Sequence, residues 1–560
     1  MPVIARLIGG AGTGKTTELL RLMEGVIEAG EIEPTEIGFV SFTRAARAEA
    51  AGRAAEQFGV SIKQLEQDGW FKTLHSVCYR CLGITSGELV TDDKESRKWL
   101  AEALDDEQIA TEMDFDTAAV AFSGQSMTSQ ILNLWSTARS RLVPFVEVWR
   151  VAKDCNETLL DLTDCLDLIG KYERAKRWSH RYDFTDLLLR FAGRRCHPTG
   201  IENVEPEGWV PAVPVWFFDE QQDTSALLDL VCRRLIETPV CKWAYFVGDN
   251  FQAIYGWAGA DARYFLSLPA AKTRIMPKSY RCPAEVFSLG EQVLSRCEDY
   301  YDRKIAPAEH EGGVEVSWNF AGELERINPT ESWLVISRTN FGAARMGKVL
   351  DRLGVPWRPT RGNGGWNAPA RNAALTALWT LYNQGPIDGH QWAYLLKALP
   401  SKANGVELFV RGTKARFEQP GEAEKYLFVL PHELPVLGAT PAFVEALQKS
   451  NGTSPSKSLF LPSLIDRGPE SFAAMERWGV DVLDEPGVRV GTVHSVKGQE
   501  ADNVLLLTTT NHTIKRSSDL YPAMADEERR CAYVGITRAR RRLIVAREQG
   551  ATNAMEIDVA

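Results

Sequence analysis

The chain has 560 residues, too many for one hydrophobic core, so about three to five packed units are expected. An apolar content of 44% with 25% charged residues describes an ordinary globular protein. A formal charge of −10 excludes a chain that coats nucleic acid indiscriminately, while leaving room for a local basic track.

No uninterrupted apolar stretch approaches the ~20 residues needed to cross a bilayer. The short apolar run Val3–Ile8 leads straight into a glycine-rich segment, with no signal-peptide pattern. These features predict a cytoplasmic protein with no membrane partner. Ten cysteines in such a chain imply reduced thiols. Cys78-Tyr79-Arg80-Cys81 is the only C-x-x-C, and Cys196-His197 is a poor second pair for a metal, so plain buried thiols are expected.

Val3–Ile8 reads as a strand, and a helix-like run begins near Glu18. Between them, Gly9-Gly10-Ala11-Gly12-Thr13-Gly14-Lys15-Thr16-Thr17 fits the phosphate-binding pattern G-x-x-x-x-G-K-[ST] in its required strand–loop–helix context. Glycines there let backbone N–H groups turn inward around a phosphate chain. Lys15 would reach the β- and γ-phosphates, and the Thr16 hydroxyl would hold Mg²⁺. The segment predicts binding of a nucleoside triphosphate.

Ile37–Thr43 reads as a buried strand with a polar end, and Arg44–Phe58 as an alanine-rich helix. Phe42, with Thr43 and Arg44 beside it, suits stacking on an unpaired base with phosphate contacts alongside, although an aromatic at such a place is more often core. Lys72-Thr73-Leu74-His75-Ser76 is a second short polar segment of this kind. Asp92–Asp116, Gln130–Arg141 and Asp154–Trp178 read as helical, with Asp186 capping the helix after them.

Val213–Phe218 is an apolar strand delivering Asp219-Glu220 at its C-terminal end. After a P-loop, Asp219 suits Mg²⁺ coordination through water, and Glu220 suits orienting or deprotonating the attacking water. Trp243–Val247 is another buried strand, followed by Gln252, placed to sense a γ-phosphate. Tyr255 and Trp257 then put two aromatics on a glycine-flanked loop suited to stacking single-stranded bases. Later, Trp333–Thr339, Val504–Leu507 and Leu543–Ala546 read as strands, and Leu375–Tyr382 and Gln391–Leu399 as helices. Asn451–Pro462 reads as a linker. Trp366 is a core tryptophan by the safer reading, with DNA contact as the alternative.

The ordered motifs resemble those of superfamily 1 DNA helicases of the UvrD/Rep type. Gly9–Thr17 is similar to motif I, Phe39–Ala46 to motif Ia and Thr73–Ser76 to the T-x-H-S segment. Asp219–Thr224 resembles motif II, Val247–Asp261 motif III and Ser279-Tyr280-Arg281 motif IV. Val488–Asn503 resembles motif V and Asp526–Arg540 motif VI.

The resemblance implies an α/β fold of two RecA-like P-loop NTPase domains with parallel sheets, each carrying a mainly helical insertion. The expected boundaries are 1–85 with 180–275 for domain 1A and 86–179 for insertion 1B. Domain 2A is expected at 276–365 with 486–560, and insertion 2B at 366–485. It further implies that Tyr280 stacks on adenine and that Arg281 and Arg538 act as arginine fingers. Glu500 would touch the ribose, while His494, Ser495 and Lys497 face DNA or the domain junction.

The sequence departs from the family in three places. Eight residues precede Gly9, without the glutamine segment that usually reads adenine, and Thr17 stands where many relatives carry a stacking arginine. Loose ATP preference is the expectation. In motif III, Ala258 and Gly256 replace arginines found in relatives. The chain ends soon after motif VI, so no C-terminal nuclease domain is expected.

The resemblance thus predicts a Mg-ATP-driven helicase, monomeric in isolation, moving 3′→5′ on single-stranded DNA and acting at single-strand/duplex junctions. The alternatives are a translocase or motor subunit working with an accessory protein, and a nucleotide switch.

Overall fold

The computed structural model describes residues 2–29, 32–41, 44–113, 120–123, 126–158, 160–362, 364–448 and 460–559. Contacts divide the chain into two compact units. One comprises Met1–Gly313, Asn511–Thr537 and Asn553–Ala560, and the other Val314–Thr510 and Arg538–Thr552. Segments 276–313 and 511–537, expected with the second α/β domain, pack with the first. Helix Ala284–Leu294 lies against helix Pro522–Ile536 there.

The first unit is built on six parallel strands in the order Lys272–Ile275, Val3–Ile8, Trp243–Gly248, Val215–Phe218, Ile37–Val40 and Trp70–Lys72. Parallel strands must be covered on both faces, and their sequences run apolar without a polar alternation. Leu7, Phe39, Phe71, Phe217 and Val247 face one core, against Leu19, Leu20 and Met23 of helix Lys15–Glu28. Ile8, Val40, Trp70, Trp216, Phe218 and Phe246 face the other, against Leu74, Leu187, Leu227 and Val231. Successive residues thus serve opposite layers, as the two-residue repeat of a strand requires.

Gly38 pairs in register with Trp216, and a Cβ on Gly38 would fall 2.2 Å from the Trp216 ring. Gly38→Ala should therefore cost about 1–3 kcal/mol by overpacking. The measurement is a lowered midpoint in urea unfolding at unchanged slope.

Residues 86–179 carry helices Lys94–Leu104, Met127–Arg141, Phe145–Asp154 and Leu162–Ser179 around a core of Leu100, Ile131, Trp135, Phe145 and Tyr172. Two features differ from expectation. The helix expected over Asp92–Asp116 ends at Leu104, where Asp105 turns left-handed at φ 55°, and Ala110–Met113 pairs antiparallel with Val120–Ser123. The helical run expected over Asp154–Trp178 is interrupted, with Asn156 at φ 59° between two helices. The cap of helix Phe184–Ala192 is Asp183, which accepts from the Asp186 N–H at 2.9 Å. Asp186 is the third helical residue, and its carboxylate returns to the Asp183 N–H.

In the second unit the strand order is Gly313–Ser317, Ala539–Ala546, Ala501–Leu507, Trp333–Ser337, Val488–Thr492 and Arg358–Pro359. The pairings of Trp333–Ser337 with its two neighbours and of Ala501–Leu507 with Ala539–Ala546 are parallel. A separate helical core spans Trp366 to Leu483. Trp366 belongs to it, 1% exposed, with its indole N–H donating to Asp351 at 3.1 Å, so it is a core residue. Of the linker expected over Asn451–Pro462, residues 451–459 lie outside the described residues. Among the described residues no helix is long and apolar enough to cross a membrane.

Candidate active site

Three neighbouring strands of the first sheet end at one edge. Val3–Ile8 leads into the P-loop, Val215–Phe218 into Asp219-Glu220, and Trp243–Gly248 into Asp249. A parallel sheet gathers ligands at its strand C-termini, and here it gathers three polar turns. Gly9 N–H donates to Gly248 O at 3.0 Å and Asp219 N–H to Val40 O at 2.8 Å, fixing the loops to the sheet.

Gly12 and Gly14 stand at φ 69° and 78°, a region that a Cβ strains, and Gly14 caps helix Lys15–Glu28. That helix therefore opens onto the loop with its free N–H groups, the arrangement that binds phosphate. A Cβ on Gly12 would lie 2.2 Å from Arg281 Cβ. Lys15 Nζ donates to Gly9 O at 3.2 Å and Gly10 O at 3.5 Å, so the ammonium lies over the loop itself. Thr13 donates to Gly10 O at 3.0 Å. Thr17 is exposed and accepts from Arg53 at 2.9 Å.

Motif IV segment Ser279-Tyr280-Arg281 closes on the same loop. Ser279 Oγ donates to Ala11 O and Tyr280 N–H to Gly12 O, each at 2.8 Å. The Tyr280 ring is 69% exposed, which leaves its face available to a flat base beside the phosphate loop.

Asp219 is buried. Burial and the neighbouring Glu220 push its carboxyl well above the ordinary range, while Lys15 opposes the rise. Two adjacent carboxylates that resist joint ionisation are a good donor set for a divalent cation. The Thr16 hydroxyl, which has no hydrogen-bond partner among the described residues, fits that set. Glu220 holds a left-handed backbone at φ 54°, uncommon for a side-chain-bearing residue and typical of functional turns.

Gln252 is buried, with its amide donating to Asp249 at 2.7 Å. Sequence reasoning missed its surroundings. Gln222 donates to Glu220 through Nε2 and accepts the Asp249 N–H at 2.9 Å through Oε1, tying two strand ends together. Arg303 is 3% exposed and donates to Asp249 at 2.6 Å, to Glu291 at 2.7 Å and to the Tyr533 hydroxyl at 3.2 Å. That hydroxyl in turn accepts the P-loop Ala11 N–H at 3.2 Å. Nothing in Tyr301-Asp302-Arg303-Lys304 announces burial, whereas Tyr533 sits inside a motif where only Arg538 drew attention.

Of the residues expected to face single-stranded DNA, fewer are exposed than the sequence suggests. Tyr255 is 1% exposed, so its ring is interior support, with its edge toward Trp257 at 6.2 Å between centroids. Trp257 is 52% exposed, so of the two rings it alone is open to solvent. Thr73 is buried as the cap of helix Leu74–Leu82, His75 is buried against Phe184, and Ser76 is exposed. Phe42 and Thr43 lie outside the described residues. Arg44 begins helix Arg44–Phe58, and its side chain is outside them too.

In the second unit, Arg538 is 1% exposed and donates to Gln499 O at 3.2 Å. Glu500 lies 3.6 Å from Arg540. The His494 carbonyl accepts from Arg361, Ser495 pairs with Thr360 at 2.6 Å, and Lys497 is half-buried.

Nine of the ten cysteines are buried and none is in a disulfide. Burial pushes the Cys81 thiol up to about 11, which suits an inert core group and not a ligand. Among the described residues one acidic group has ligand spacing, Cys297 with Asp299 and Asp526. Arg530 on Asp299 and Arg529 on Asp526, each at 2.7 Å, already neutralise it.

Residues 4–272 match the UvrD/REP helicase N-terminal domain, and residues 472–550 match the UvrD-like helicase C-terminal domain. Similar proteins include YjcD of Bacillus subtilis strain 168, 23% identical over 96% of this chain and 76% of its own length. The ATP-dependent DNA helicase PcrA of the same strain is 21% identical over 96% of this chain and 80% of that protein. The ATP-dependent DNA helicase UvrD2 of Mycobacterium tuberculosis H37Rv is 24% identical over 95% and 75%. With its glycine loop, strand-end carboxylates and both family patterns in place, the chain belongs to the UvrD/REP helicase family.

Proposed function

We propose that the protein is a DNA motor that couples Mg-ATP hydrolysis to 3′→5′ movement on single-stranded DNA and to unwinding of duplex ahead of it. The observation carrying this reading is the meeting of P-loop, Asp219-Glu220 and Asp249 on one sheet edge, with exposed Trp257 on the loop that follows Gln252.

Lys15 and the amides of Gly9–Thr16 would bind the phosphates, with Tyr280 against the base. Thr16 and Asp219 would hold Mg²⁺, which neutralises charge on the phosphoryl oxygens. Glu220 takes the proton of the attacking water. Gln252 orients that water, and Arg281 and Arg538 offset the charge that develops in transfer. Glu500 is assigned to the ribose, and His494 and Lys497 to the DNA strand. Trp257 stacks on an unpaired base, because every base offers a π-face and a motor must grip any sequence.

Trp257→Ala should weaken binding to a single-stranded oligonucleotide by about 1–3 kcal/mol in a fluorescence titration. Unchanged affinity would make Trp257 a structural residue.

The deciding experiment is ATP hydrolysis with and without single-stranded DNA, beside strand displacement from 3′-tailed and 5′-tailed duplexes. Stimulation with displacement from the 3′ tail alone is expected. Stimulation without displacement would favour the second reading, a translocase or partner-dependent motor, which Gly256 and Ala258 in motif III support. Hydrolysis indifferent to DNA would refute both.

A further inference from the structure

Motif III in this chain has glycine at 256, and the structure shows what occupies the space. Helix Met127–Arg141 ends against the loop. Arg141 donates to Gly256 O at 2.7 Å, and Thr137, one turn earlier on the same face, donates to Trp257 O at 2.8 Å. From another direction Glu527 accepts the Gly256 N–H at 3.1 Å. Gly256, beside Trp257, is therefore held at both its N–H and its C=O by oppositely charged side chains.

A side chain at 256 would push the Glu527 carboxylate off the Gly256 N–H, and one at 259 would be strained. A Cβ on Gly256 would lie 2.2 Å from the Glu527 carboxylate. One on Gly259, at φ 94°, would lie 3.0 Å from Ser140 and 3.3 Å from Arg141. The grip is also firmly anchored. Two residues before Arg141, buried Arg139 pairs with Asp183 at 2.8 Å and Asp186 at 3.1 Å, and buried Lys176 reaches the same carboxylates.

Glu527 stands on helix Pro522–Ile536, six residues before Tyr533, an axial rise of about 9 Å. One helix thus touches both the backbone next to Trp257 and the P-loop amide of Ala11. Arg303 locks the Tyr533 end to Asp249.

From this geometry we infer that Arg141, Thr137 and Glu527 form a clamp that sets the pose of the Trp257 loop and passes DNA occupancy there to the P-loop through helix Pro522–Ile536. The inference rests on the reading of Trp257 as a single-strand contact. Arg141 is a positioning residue, acting through the loop and not on the nucleotide.

The test compares Arg141→Ala, Arg141→Lys and Thr137→Val with the parent protein. It records kcat for ATP without DNA, kcat at saturating single-stranded DNA, DNA affinity and the thermal midpoint. Arg141→Ala should leave the DNA-free rate in place and reduce the DNA stimulation at least about fivefold, the lower end of ordinary coupling between sites. Arg141→Lys, which keeps one donor and the charge, should restore part of it. Should Arg141→Ala fail to fold, Thr137→Val removes one clamp bond with little change of shape and should also lower stimulation.

Full stimulation in both variants overturns the clamp. A proportional fall of DNA-free and DNA-stimulated rates, with a lower thermal midpoint and no rescue by lysine, also overturns it in favour of a purely structural contact. Trp257→Ala separates the two readings. Normal DNA affinity in that variant refutes the stacking assignment, whereas weakened affinity beside full stimulation in Arg141→Ala refutes the clamp alone.

Discussion

Lys15→Ala should lower kcat for ATP hydrolysis by about 10³-fold or more, the scale on which enzymes lose rate when a cation facing the transferred phosphoryl group is removed. The ammonium lies over Gly9 O and Gly10 O, at the head of the helix that opens onto the loop. It is also the charge that opposes neutralisation of Asp219. Its removal therefore acts twice, on the phosphates directly and on the ability of the Asp219 carboxylate to hold a divalent cation. Folding should be little affected, because the side chain is half-buried and its two contacts to carbonyls, at 3.2 and 3.5 Å, are long for charge-assisted bonds. Lys15→Arg should not rescue the rate, since a planar guanidinium cannot take the place of a compact ammonium in so close a loop. The check is steady-state hydrolysis with saturating DNA, paired with a thermal melt. Ordinary turnover in a folded Lys15→Ala protein would refute the phosphate site.

What could be read in advance divides along a physical line. Gly9–Thr17 and Asp219-Glu220 were legible because their chemistry is local: a glycine-rich turn between strand and helix, and two carboxylates at the end of an apolar run. The apolar strands were legible too, since burial on both faces leaves Val215–Phe218 and Trp333–Ser337 without polar residues until their ends. Arg303 was not, because its burial depends on Asp249, Glu291 and Tyr533, which are brought to it only by the fold. The same holds for Arg141, whose partner Gly256 lies in another part of the chain. Tyr255 and Trp257 look equivalent in sequence, yet the short turn Gly256–Ala258 leaves one inside and the other exposed. The antiparallel pair of Ala110–Met113 with Val120–Ser123 was lost for a different reason. Its acidic surroundings have the composition of a helix, and only the left-handed turn at Asp105 ends one.

Glu220→Gln is the second substitution with a large expected effect, a fall of about 10²–10⁴-fold in kcat with nucleotide binding retained. The exchange is nearly isosteric. The new side-chain carbonyl can still accept from Gln222 Nε2, so the tie from this turn to Asp249 survives. The left-handed backbone at φ 54° imposes the same strain on either residue. What disappears is the proton acceptor, together with one negative charge beside Asp219. Because that charge is among the causes holding the Asp219 carboxyl high, its loss should make Asp219 easier to ionise, and the variant should melt no lower than the parent. Stable folding, retained nucleotide binding and slow chemistry form a combination that a merely structural acid would not give. Single-turnover hydrolysis is the measurement, since it reports the chemical step apart from product release. A near-parent single-turnover rate would mean that water is activated by another group, and the assignment of Glu220 as base would fall while the phosphate site around Lys15 stood.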